Sequence, residues 1–133
     1  MIQRKIQQQL LSWHTSARRK PLVLRGIRQV GKTYLLKSFG AAHFDNTAYF
    51  NFEEQPELKQ FFLQTKDVHR IIENLSLVHG KPIDPKKTLI IFDEIQECNE
   101  ALNSLKYFNE NAPEYALACA GSLLGVALSK GQS

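Results

Sequence analysis

The residues Gly26-Ile27-Arg28-Gln29-Val30-Gly31-Lys32-Thr33 match the pattern GxxxxGK[ST] in full. The chemistry of such a segment is phosphate capture. Its glycines let the backbone curl so that successive N–H groups point inward at phosphate oxygens, and the following helix N-terminus adds about half a positive charge. Lys32 is the residue expected to reach the β and γ phosphates. Thr33 is expected to offer its hydroxyl to Mg²⁺, a cation that takes oxygen ligands shared between protein and nucleotide. Tyr34, next in line, is grouped with these nucleotide-contacting residues. A chance Gly-Lys-Thr turn is the alternative, and the context argues against it: an apolar strand-like run precedes the segment and a helical pattern follows.

A second cluster is Leu89-Ile90-Ile91-Phe92-Asp93-Glu94, a continuous apolar run that ends in two carboxylates. Asp93 is a candidate Mg²⁺ ligand, acting through water. Glu94 is a candidate general base that takes a proton from the water attacking the γ phosphate. Two solvated acids ending a strand would look similar, but their distance downstream of Lys32, with a strand and helices between, favours the chemical reading. Ser122, in Ala120-Gly121-Ser122, either orients the γ phosphate or the attacking water as a third catalytic residue beside Glu94 and Lys32, or caps the next helix. Asn51 is either a partner of Glu94 that holds it inactive or an ordinary exposed amide. Arg18, Arg19, Lys20 and Arg28 either contact phosphate, base or nucleic acid or form a solvated basic face.

These residues need a scaffold, and the hydrophobic pattern supplies one. Ile2, Ile6, Leu10 and Trp13 share one face of an N-terminal helix, and residues 18–20 form a basic connector. Leu22-Val23-Leu24 reads as a buried strand, 31–39 as a helix stopped by Gly40, and 47–52 as a second strand. Pro56 opens a short helix carrying Leu58, Phe61 and Phe62. Asp67 caps a helix on Val68, Ile71, Ile72, Leu75 and Val78 that ends at Gly80, and 84–87 is a polar loop. The run 89–92 is apolar without alternation, as in a strand covered on both faces. A helix over 100–110 burying Leu102, Leu105 and Phe108, a strand over 115–120 and a short helix over 122–128 complete the pattern. Alternating strands and helices imply an α/β fold of three αβα layers around a parallel sheet, with ligands at the carboxyl ends of the strands.

Bulk properties fit one folded domain over residues 1–133. Hydrophobic residues make up 43% and charged residues 23% of the 133, both ordinary values that exclude a disordered or low-complexity chain. The net charge of +4 is uneven, because residues 1–40 hold nine Lys or Arg and no Asp or Glu. That asymmetry suits either a polyanionic partner or one phosphate-receiving site. No apolar run is long enough to span a membrane, and the N-terminal residues are too polar for a signal sequence, so a cytoplasmic location is expected. Cys98 and Cys119 form no CxxC pair and read as reduced structural thiols.

The stretch LxLRGIRQVGKTYLLKSF, the block LIIFDEIQE and the segment AGSLLGVAL together resemble a prokaryotic AAA-type family of the P-loop superfamily. The resemblance implies a cytosolic ATPase domain, with Gly26 to Thr33 as the Walker A loop, Asp93 and Glu94 as the Walker B acids, and Ser122 as the sensor. It also implies ATP as the nucleotide and a sheet in the additional-strand order, 1-4-3-2 over the strands present. Family members continue into a fifth strand and a C-terminal domain, so a truncated form with its first strand at a sheet edge is expected. The leading expectation is hydrolysis of Mg-ATP coupled to that domain, a protein partner or an oligomer. A nucleotide-gated module without hydrolysis and a small-molecule kinase are the competing readings, and nucleic-acid binding is compatible with the first.

Overall fold

The computed structural model describes residues 2–25 and 31–121, so the expectations on 26–30, Ser122 and the helix over 122–128 lie outside the described residues. The elements run α1 (Ile2–Thr15), β1 (Leu22–Leu24), α2 (Lys32–His43), β2 (Asn46–Asn51), a 3-10 turn (Pro56–Leu58), α3 (Lys59–Gln64), α4 (Val68–His79), β3 (Thr88–Asp93), a second 3-10 turn (Ile95–Glu97), α5 (Asn99–Asn111) and β4 (Ala116–Ala120). The four strands form one parallel sheet in the order β1-β4-β3-β2. This is the expected order.

Period-two alternation divides the core into two layers. On β3, Leu89 and Ile91 join Leu10, Leu36 and Phe39 of α1 and α2, whereas Ile90 and Phe92 join Leu58, Phe62, Ile71, Leu75 and Phe108 on the opposite face. On β4, Ala116, Ala118 and Ala120 face the first layer and Leu117 and Cys119 the second. Helices therefore cover both faces of the sheet. All six residues of β3 are buried, which explains why its sequence shows no polar alternation.

Phe92 anchors the end of that strand. Phe50, Phe52, Phe62 and Phe108 surround it with ring centroids 6.2, 5.3, 5.8 and 6.0 Å away, all edge-on. Such pairs contribute about 0.5–1.5 kcal/mol each beyond area burial. The next residue along the chain is Asp93, so this aromatic packing fixes where the strand delivers its carboxylate.

Local signals account for several boundaries. Asp67 caps α4 by accepting from the N–H groups of His69 and Arg70, and Gly80 closes it at φ 84°, in the left-handed region. Three expectations need correction. Gly40 does not stop α2, which continues to His43. The glycine instead lets the helix approach the sheet: a β-carbon there would collide with Thr47 Oγ1 and lie 3.2 Å from Leu89 Cδ2. On α5 the buried positions are Ala101, Ser104 and Phe108, while Leu102 and Leu105 are only partly covered. The turn Ile95–Glu97 is an extra element between the carboxylates and α5. Cys98 and Cys119 are free and buried.

Two outcomes test this packing. Gly40→Ala would add helix propensity of about 1 kcal/mol in an open helix, but the collision with Thr47 reverses the sign. A net loss of about 1–3 kcal/mol is expected on denaturant unfolding, relieved by adding Thr47→Ala. His14, packed among Phe39, His43 and Phe44, is held below the ordinary histidine range by burial, then by the nearby Arg19 and His43. A depressed histidine pKa leaves stability intact above the unfolded value of about 6.5 and erodes it as pH falls through that value. His14→Leu should therefore lessen the drop in melting temperature between pH 7 and pH 5.5, and an unchanged drop would refute this.

Candidate functional site

Because all four strands are parallel, their carboxyl ends lie at one edge of the sheet, and α2 begins at that same edge. Gly31, at φ 77°, adopts a left-handed conformation that suits glycine, and its carbonyl accepts from Leu35 N as the first bond of α2. Lys32 and Thr33 thus enter the helix with their side chains at the sheet end. Arg18, Arg19 and Lys20 precede β1 and so belong to the opposite edge. Arg19 lies 5.5 Å from the Trp13 ring and donates to the Glu114 carbonyl, so its contacts are structural.

Asp93 lies on the same face of β3 as Leu89 and Ile91, which is the α2 face. Thr33 Oγ1 donates to Asp93 Oδ2 at 2.5 Å, joining residues 60 apart in sequence. Tyr49 OH donates to the same oxygen at 2.6 Å, and Glu94 N donates to Oδ1 at 2.9 Å. Tyr49 is one strand away, in register with Ile91, and its long side chain reaches diagonally to the position two residues further on. Burial, followed by the hydrogen bond to Asp93, raises the Tyr49 pKa well above the usual phenol value, with Asn51 opposing. The phenol therefore stays protonated as a donor.

Lys32 is buried, and its ammonium donates to the Gly121 carbonyl at 2.5 Å. Burial lowers its pKa, while Glu94 and Asp93 pull the other way. A buried cation requires such partners. Gly121 N in turn donates to Leu24 O, at the end of β1, at 3.3 Å. The end of β4 thus lies between the lysine and the first strand.

Glu94 has φ 51° and ψ 45°, a left-handed conformation that costs about 1 kcal/mol or more for a non-glycine residue. It turns the chain sharply out of β3. Its Oε1 accepts from Gln96 Nε2 at 2.8 Å, and buried Gln96 reaches back toward β4, where a β-carbon on Gly121 would lie 2.9 Å from Gln96 Oε1. Gly121, whose carbonyl accepts from Lys32, thus lies beside the glutamine that donates to Glu94.

The structure corrects both readings of Asn51, which is buried rather than an exposed amide and is bonded to its own turn and to Tyr49 rather than to Glu94. Its Oδ1 accepts from Glu53 N and Glu54 N at 2.9 and 3.0 Å, capping the turn after β2, and its Nδ2 donates to Tyr49 OH at 3.2 Å. The amide is committed on both sides. Tyr34 lies on α2 with its side chain exposed. Two residues that sequence reasoning missed, Tyr49 and Gln96, were accessible to it: alternation on β2 places Tyr49 on the Asp93 face, and Gln96 belongs to the DEIQ word.

Hard oxygen donors at one point, with a buried amine nearby, are suited to a phosphate group and its cation. Among the described residues there is no group of three or more His, Cys, Asp or Glu side chains able to hold a metal. Thr33 and Asp93 fit Mg²⁺ in another way, because Mg²⁺ commonly takes one or two protein oxygens and completes its shell with water and phosphate.

A family model described as "AAA domain" matches residues 18–133. No curated protein matches. Among solved structures, the chain is similar to C. elegans PCH-2, with 14% identity and a TM-score of 0.45, covering 90% of this chain and 34% of that one. With a family model matched over all but its first 17 residues, the chain belongs to the AAA domain family.

Proposed function

We propose that the chain binds Mg-ATP at the sheet edge between α2, β3 and β4 and hydrolyses it to ADP and phosphate. The observation that carries this reading is the 2.5 Å contact between Thr33 Oγ1 and Asp93 Oδ2, with Lys32 buried beside it. Family membership supports nucleotide binding. The segment 26–33 supports the loop reading through its glycines and the helix that follows.

In this proposal each residue has a separate task. Backbone N–H groups of 26–33 receive phosphate oxygens at the start of α2. Lys32 exchanges the Gly121 carbonyl for a phosphate oxygen, replacing a neutral acceptor with an anionic one and so forming a stronger hydrogen bond. Mg²⁺, when bound, neutralises phosphate charge, and Thr33 and Asp93 are the protein oxygens that hold it. Glu94 accepts the proton of the attacking water once its carboxylate is turned toward that water. Its bond to Gln96 sets the starting orientation. Ser122, directly after Gly121, is proposed to contact phosphate or water there. Coupling of turnover to a further domain, a partner or a second copy is part of the same proposal.

The test is a Mg-ATP titration of the wild-type chain beside Lys32→Ala and Glu94→Gln, with phosphate release measured in parallel. Loss of a charge-assisted hydrogen bond worth about 1.5–3 kcal/mol weakens Lys32→Ala by about 10- to 100-fold. Glu94→Gln retains affinity within about twofold and loses about 10²- to 10⁴-fold in turnover. Undiminished affinity in a folded Lys32→Ala sample contradicts the site. Equal turnover in wild type and Glu94→Gln removes the base, and negligible turnover in both, with ATP still bound, favours a nucleotide-gated module without hydrolysis.

A further inference from the structure

The geometry points to Tyr49 as a positioning residue for Asp93: its hydroxyl holds the carboxylate in place for the cation, independently of Thr33. This inference rests on the nucleotide reading of the site and adds a residue to it.

The direction of each hydrogen bond follows from chemistry. Only an oxygen accepts from the N–H groups of Glu53 and Glu54, so the side chain of Asn51 must present Oδ1 to them. Its NH₂ then faces Tyr49 OH at 3.2 Å and can only donate. The tyrosine oxygen is therefore an acceptor on that side, and its single proton is directed to Asp93 Oδ2, 2.6 Å away. A chain of fixed polarity runs from the turn after β2 to the end of β3.

Packing holds the donor still. The ring lies against the layer formed with α1 and α2, and Lys37 Nζ sits 3.9 Å from its centroid, a cation–π contact that adds about 0.5–1 kcal/mol at an exposed site. Asp93 Oδ2 thus has two donors of different kinds. Thr33 belongs to the element that meets the nucleotide, and its hydroxyl is itself a cation ligand in the proposed function. Tyr49 belongs to the sheet. When Thr33 changes partner, Tyr49 keeps the carboxylate from rotating and leaves the position given up by Thr33 open to exchange.

Tyr49→Phe removes one oxygen and retains the ring, its packing and the contact with Lys37. ATP affinity is measured by calorimetry across a Mg²⁺ series and again in EDTA, on wild type and variant. Partners of a metal ligand commonly change metal affinity by 10- to 100-fold. The expected result is a Mg²⁺ half-saturation raised about 10-fold or more, with affinity in EDTA within about twofold of wild type. An unchanged half-saturation overturns the role of Tyr49 while leaving the site standing. An equal loss with Mg²⁺ and in EDTA also overturns it, because the effect would then not pass through the cation ligand. If the wild-type chain shows no Mg²⁺-dependent binding, the reading of the site fails first and the inference falls with it.

Discussion

Burial of β3 constrains everything else in this molecule. The strand has neighbours on both edges and apolar side chains on both faces, so its backbone groups must be satisfied by parallel ladders to β2 and β4. A strand enclosed in this way can present polar chemistry only where it leaves the sheet. It leaves at Asp93, and the ring of phenylalanines around Phe92 sets that exit point. The left-handed residue Glu94 then turns the chain away before α5 begins.

Two hydrogen-bonded arrangements depend on that exit. One joins Thr33, Asp93, Tyr49 and Asn51, linking α2 to β3, β2 and the turn beyond it. The other joins Lys32 to the Gly121 carbonyl and Gln96 to Glu94, with the open Cα of Gly121 packed close to Gln96. Between them they tie the start of α2 to the ends of β2, β3 and β4. In the proposed function a phosphate group at Lys32 would compete with one carbonyl, and a cation at Asp93 Oδ2 would meet the hydroxyls of Thr33 and Tyr49. All three are neutral groups.

Much of this was legible in the sequence, for identifiable reasons. The glycines and Lys-Thr of the loop are type-specific, and an unbroken apolar run followed by two acids has few structural meanings. The sheet order 1-4-3-2, in contrast, came from resemblance to a known family, since four apolar runs alone permit other orders. What the sequence concealed was side-chain partnership across strands. Asn51 was read as either a partner of Glu94 or an exposed amide, whereas it is buried and bonded to the backbone N–H groups of Glu53 and Glu54. Gly40 looked like a helix stop because glycine is common there, whereas its role is to admit Thr47. The two misreadings run in opposite directions: Asn51 is set by its own turn, where a distant partner was considered, and Gly40 by a neighbouring strand, where a local stop was expected.

In the proposed function Thr33 and Asp93 act as one oxygen pair toward the cation. A double-mutant cycle with Thr33→Ala, Asp93→Asn and both together, read as Mg²⁺-dependent ATP affinity, measures that pairing. Residues that share a ligand are expected to be non-additive, with a coupling of about 0.5–3 kcal/mol. The second substitution is expected to cost much less once the first is present. Strict additivity, with each substitution weakening Mg²⁺-dependent binding equally in either background, would show that the two oxygens do not share a cation.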